Sequence, residues 1–228
     1  MPDRLDGRRV LVTCADLYMG PAIAELFAAE GAEVIADTTA LVDPAAPARV
    51  VAAAGRVDIL VANLAAPPVR ASHWEIEDDD WLMLFDALVH PLMRLARAVL
   101  PQMIERHAGK IVAITSAAPL RGIPKLAGYV AARGAQNAFI RTVGIDVARD
   151  NVQVNAIAQN YVENNVYYPP ELLANPEMRR RMEEAIPLGR LAKPWESAEL
   201  ALFLASDKSD FMVGQVIPFA GGWTLGQG

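Results

Sequence analysis

The chain has 228 residues, of which 53% are hydrophobic and 21% charged, with a mean hydropathy of +0.20; that composition excludes a disordered or fibrous protein. A formal net charge of -6 provides no basic face for a nucleic-acid backbone or an anionic membrane, so neither is expected as a partner. A lone cysteine, Cys14, cannot close an intrachain disulfide, residues 1–9 lack a signal-peptide pattern, and no apolar run approaches the roughly 18 residues of a spanning helix, so the expectation is one cytoplasmic domain over 1–228.

In chain order, short apolar runs alternate with longer helical stretches. A strand over 10–13 leads to a helix from about Gly20, a strand over 34–36, a helix near Ala48 and a strand over 57–62. A long helix over 78–106 then precedes a strand over 110–115, a helix over 126–149 and a strand over 152–157. The last third predicts a polar and aromatic loop, helical turns over 176–184, a helix over 194–205 and a final strand near Val216. Alternation of this kind predicts an α/β fold: a Rossmann-like doubly wound parallel sheet in three α/β/α layers. Ligands in such sheets bind at the carboxyl ends of the strands. The three histidines, His73, His90 and His107, are not clustered with acids at ligand spacings, so no metal is expected.

Ser116, Tyr129 with Arg133 four residues on, Asn155-Ala-Ile-Ala, Leu188-Gly-Arg, Phe203-Leu-Ala-Ser, Val213-Gly-Gln-Val and Ala220-Gly-Gly together resemble the short-chain dehydrogenase/reductase superfamily along nearly the whole chain. That family carries a Ser, a Tyr-x-x-x-Lys and a Thr-Gly-x-x-x-Gly-x-Gly loop for NAD(P). Here two of the loop glycines are replaced by Cys14 and Tyr18 and only Gly20 remains. A phenol there takes up volume that a pyrophosphate needs. Residues 38–56, between the second and third strands, are 19 in number, too few for the helix-strand-helix segment that walls an adenine pocket. Arg133 stands at the lysine position and Leu88 at that of the long-helix Asn. Asp37 points the other way, because an acid ending the second strand is what a ribose site keeps.

The remaining motifs resemble the halohydrin dehalogenases, which keep Ser…Tyr-x-x-x-Arg and replace the glycine loop with Thr-x-x-x-x-[Phe/Tyr]-x-Gly. Thr13, Tyr18 and Gly20 match that loop, and Ser116 precedes Tyr129 by 13 residues. The resemblance implies dehalogenation of vicinal halohydrins to epoxides without a cofactor, the reverse opening of epoxides by small anions, and a homotetramer.

Tyr129 and Arg133 are i and i+4 on one helix, so the guanidinium and phenol can meet. A permanent cation favours the phenolate and makes Tyr129 a usable base. Ser116 would donate to the substrate oxygen. With no hydride acceptor, deprotonating an alcohol leads on only where a neighbouring leaving group is displaced. The backbone N–H groups of Asn160, Tyr161 and Val162 are expected to form an anion nest for the departing halide, with the ring edge of Tyr18 closing the other side. Taken singly, Ser116 reads as a loop or cap serine, Tyr129 and Tyr18 as packed aromatics, and Arg133 as a solvated or ion-paired cation. Asn160 and Tyr161 read as a plain turn and a lid aromatic, the run Tyr161, Tyr167 and Tyr168 as lining the entrance or packing the loop, and Trp223 as an interface or pocket residue. Two rival functions stand beside this one: an NAD(P)-dependent alcohol dehydrogenase with a degenerate loop, and a catalytically silent scaffold.

Overall fold

In the computed structural model, which describes residues 4–225, the alternation becomes β1 (Arg9–Val12), α1 (Gly20–Ala29), β2 (Glu33–Ala36), α2 (Ala46–Ala54), β3 (Ile59–Asn63), α3 (Asp78–Glu105), β4 (Gly109–Ser116), α4 (Ala127–Asp146), β5 (Val152–Gln159), α5 (Pro170–Leu173), α6 (Pro176–Ala185), α7 (Pro194–Ala205) and β6 (Val216–Phe219). The strands form one sheet in the order β2-β1-β3-β4-β5-β6, and every pairing is parallel. Each parallel connection needs a crossover, and the helices supply them on both faces.

The two faces are covered by different helices. Val50 and Val51 of α2, Leu84, Leu88, Leu92, Leu95 and Val99 of α3 and Ile140 of α4 pack on one side with Ile111 and Ala113 of β4. On the other side, Ile23 and Phe27 of α1 and Ala201 and Leu202 of α7 pack with Val112 and Ile114. Alternate residues of β4 thus serve opposite cores, and β3 and β5 are buried at every position, as strands covered on both faces are. β3 is apolar up to Asn63, whereas β5 carries buried polar side chains that find partners, Asn155 Nδ2 donating to the Met212 carbonyl and Gln159 Oε1 accepting from the Ser197 hydroxyl.

The sheet ends at β2, whose four residues are half-exposed or exposed. The doubly wound dinucleotide order has a further strand beyond this position; here the segment between β2 and β3 holds only the nine-residue α2. Three boundaries differ from the sequence expectation by two residues or more. β3 begins at Ile59 rather than 57. The helix expected over 126–149 stops at Asp146, after which a 3-10 turn and left-handed Asn151 (φ 56°) swing the chain into β5. β5 continues to Gln159 because its register with β4 persists to the Ser116–Gln159 pair. Among the described residues no helix is long and apolar enough to cross a membrane.

Candidate active site at the carboxyl ends of the strands

The turn from β1 into α1 keeps the backbone of a glycine turn with two of its three glycines replaced. Cys14 (φ 47°) and Tyr18 (φ 57°) both lie in the left-handed region, where a side chain costs about 1 kcal/mol or more. Asparagines hold the turn in place. Asn63, ending β3, donates from Nδ2 to the carbonyls of Cys14 and Leu17, at 2.9 Å each, and Asn165 accepts from the Tyr18 N–H at 2.8 Å. Gly20 is required by close approach, since a Cβ there would lie 2.6 Å from the Cys14 carbonyl oxygen.

The Tyr18 ring is buried and reaches from β1 across β3 to the end of β4, where its hydroxyl donates to the Thr115 carbonyl at 3.2 Å. Its ring meets that of Tyr167 edge-on at 5.1 Å. Asp37 is occupied locally: one carboxylate oxygen accepts from the Thr39 N–H at 3.0 Å and the other from the Thr39 hydroxyl at 3.1 Å.

α4 buries Tyr129, Ala132, Arg133, Gln136, Asn137 and Ile140, the i, i+3, i+4, i+7 stripe of a helix lying on a sheet. Arg133 is wholly buried, with no carboxylate among its partners. All five of its N–H groups find acceptors. Nε donates to Tyr129 Oη at 3.1 Å, Nη1 to the Ile114 carbonyl at 3.3 Å and Gln136 Oε1 at 2.9 Å, and Nη2 to the Leu64 carbonyl at 3.1 Å and Tyr167 Oη at 2.9 Å. Burial opposes the charge, but the surrounding phenol oxygens of Tyr129, Tyr167 and Tyr18 outweigh it and hold the guanidinium protonated.

Three phenols therefore surround one cation, and their hydrogen bonds separate them. Burial pushes the Tyr18 and Tyr167 phenols up against the pull of Arg133, and each hydroxyl already has a carbonyl acceptor, Thr115 for Tyr18 and Ala66, at 2.9 Å, for Tyr167. Both stay neutral donors. The Tyr129 hydroxyl has no such acceptor among the described residues. Ser116 Oγ accepts from the Ala118 N–H at 3.1 Å, which leaves its proton free.

Ser116, Tyr129, Tyr18, Asn160, Tyr161 and Val162 line one cavity of about 670 Å³, together with Tyr167, Tyr168 and Trp223; Arg133 lies behind its wall. The expected anion nest is not what the backbone presents. The Asn160 N–H donates to the Phe219 carbonyl at 3.1 Å, drawn there by the continuation of β5 alongside β6. The Tyr161 N–H, on a left-handed residue, donates to Asn160 Oδ1 at 2.9 Å. Only the Val162 N–H has no acceptor among the described residues. The same Asn160 oxygen takes the Tyr168 hydroxyl at 2.6 Å.

The sequence offers Tyr167 as an entrance-lining or loop-packing aromatic and Trp223 as an interface or pocket residue, and both line the cavity. Tyr167 proves to be a direct partner of Arg133, and Trp223 stacks edge-on with Tyr161 at 5.9 Å beneath the Arg121 guanidinium. No spacing rule links residues 133 and 167 across separate elements. Gln136 lies three residues beyond Arg133 on the same face, a spacing that pairs side chains on a helix as the four-residue step from Tyr129 to Arg133 does.

The fold and the residues gathered at its strand ends define a doubly wound α/β enzyme. A family model described as enoyl-(acyl carrier protein) reductase matches residues 43–224. The 3-oxoacyl-(acyl-carrier-protein) reductase of Thermotoga maritima is 32% identical, the alignment covering 97% of this chain and all of that one. The chain belongs to the short-chain dehydrogenase/reductase superfamily. Among solved structures, a dehalogenation enzyme is similar with a TM-score of 0.91 and 37% identity, covering 96% of this chain and 99% of its own. A halohydrin dehalogenase bound to ethyl (2S)-oxiran-2-ylacetate is similar with a TM-score of 0.89 and 28% identity, covering 96% and 98%.

Proposed function

We propose that the protein is a halohydrin dehalogenase that closes vicinal halohydrins to epoxides without a nucleotide, and in reverse opens epoxides with small anions. The observation that carries this reading is the buried Arg133 donating to Tyr129 Oη beside a turn whose dinucleotide side is filled by Tyr18. The residues present do not fit NAD(P). The Cys14 and Tyr18 side chains stand where a pyrophosphate needs bare backbone, the sheet stops at β2, and Asp37 is bound to Thr39. The two dehalogenase structures support the same reading, whereas the name of the Thermotoga relative favours a reductase.

In the proposed reaction, Ser116 donates a hydrogen bond to the substrate hydroxyl and holds it toward Tyr129. Tyr129 Oη takes the hydroxyl proton while the Arg133 Nε–H stabilises negative charge on that phenol oxygen. The freed oxygen pair forms a C–O bond to the adjacent carbon, the carbon–halogen pair leaves with the halide, and the proton passes from Tyr129 to water in the cavity. Halide then meets the Tyr18 ring edge and the Val162 N–H, with Asn160 and Tyr161 shaping the wall rather than donating from the backbone. A cytoplasmic homotetramer is part of the proposal.

The test is chloride release from 1,3-dichloro-2-propanol by protein stripped of nucleotide. Release is expected, at a rate that added NADH or NADPH does not raise; turnover only with nucleotide would establish the reductase alternative instead. A second expectation concerns Tyr167. In Tyr167→Phe, Arg133 Nη2 and the Ala66 N–H lose their shared acceptor, so the guanidinium is less firmly aimed at Tyr129. Steady-state kinetics should show kcat down about tenfold with KM nearly unchanged, a split that a purely packing role for the ring does not produce.

A further inference from the structure

The protein carries a net charge of -6, yet among the described residues no Asp or Glu lines the active cavity, while Arg70, Arg121 and Arg181 do. Arg181 is paired with Glu177, which lies outside the lining. Arg70 and Arg121 make no ion pair among the described residues. Arg121 is nonetheless fixed: Nη1 donates to the Trp223 carbonyl at 2.9 Å and its guanidinium sits 4.9 Å over the Trp223 ring. Trp223 is itself buried and leans on Tyr161. Arg70, Arg121 and Tyr161 line the same cavity, and both guanidinium charges oppose the upward push of burial on the Tyr161 phenol.

A planar fork of N–H donors matches a carboxylate geometrically as well as electrically. A fork held by stacking and a main-chain bond has already lost much of the freedom that binding removes. The same cavity is also lined by the apolar side chains of Pro68, Ile123, Pro124, Leu126 and Met182, which suit a short carbon chain.

We propose that the cavity selects halohydrins and epoxides bearing a carboxylate, with Arg121 and Arg70 as the groups that receive it. This deepens the dehalogenase reading and rests on it. Chloride release is compared for 3-chloro-2-hydroxypropanoate and 4-chloro-3-hydroxybutanoate, each against its own uncharged primary amide. At least one acid is expected to exceed its amide about tenfold in kcat/KM at low salt, within the range by which charge-lined clefts favour opposite ligands. That advantage should shrink on raising the salt toward 0.5 M, because both guanidiniums are screened as solvent-facing charges.

Arg121→Gln and Arg70→Gln, measured separately, should each lower the acid-to-amide ratio at least threefold; the exposed Arg70 gives a variant whose folding is not at stake. Amides turned over as well as the acids, or a ratio unmoved in both variants, overturns the carboxylate assignment while leaving the dehalogenase reading intact. No chloride from any of the four compounds or from 1,3-dichloro-2-propanol overturns both.

Discussion

Tyr129→Phe is expected to lower halide release by a factor of 10² to 10⁴, roughly the contribution of a positioned general acid or base, in a protein that remains folded. The change removes one oxygen whose protein hydrogen bond is to Arg133 Nε. The ring stays among Arg133 and Tyr167, which it faces at 5.3 and 6.0 Å. Leaving one donor of a buried cation short of an acceptor costs about 1–3 kcal/mol, too little to unfold a domain of this size at 25 °C. The measurement is chloride release beside a thermal melt. If the variant keeps more than a tenth of the wild-type rate, Tyr129 is not the base. Tyr18 and Tyr167 are poor substitutes, because each already gives its proton to a main-chain carbonyl.

Arg133→Met is expected to remove activity and a good part of the stability together. The carbonyls of Ile114 and Leu64, Gln136 Oε1 and the Tyr129 and Tyr167 oxygens all lose a donor. No opposite charge is stranded, but buried acceptors left short of a donor cost about 1 kcal/mol or more each, and at about 2–4 °C per kcal/mol for a chain of this length the melting temperature should fall by roughly 10 °C. Arg133→Lys separates the two effects. An ammonium restores the charge and three donors but cannot reproduce the planar five-donor fork, so stability should recover more than kcat. A melt within 2 °C of wild type for Arg133→Met would mean that the network contributes little to the fold.

The sequence was legible where a repeating geometry carries the information. Strand and helix alternation set the sheet, the short span over 38–56 announced the missing outer strand, and the four-residue step from Tyr129 to Arg133 placed phenol and guanidinium together. The substitution of Tyr18 for a glycine marked the filled turn, although not that the residue keeps a glycine's left-handed φ. What escaped is set by loops. Tyr167 reaches Arg133 because Asn164 Oδ1 accepts from the N–H groups of Val166 and Tyr167 and bends the chain inward, a contact across 34 positions that no periodicity encodes. The donors of Asn160 and Tyr161 were assigned to an anion on the strength of their position after β5. Their real partners depend on how far β5 runs beside β6, and strand ends are where local patterns are weakest.

Asn165 belongs to the same loop as Tyr161, Tyr167 and Tyr168, and it grips the β1 turn twice, accepting from Tyr18 and donating to the Asp16 carbonyl at 2.9 Å. Asn63 clasps that turn from beneath. Roof and floor of the reaction chamber are therefore riveted to each other through amide side chains, and a guest enters a vessel whose shape is set beforehand instead of one that moulds itself around the arrival.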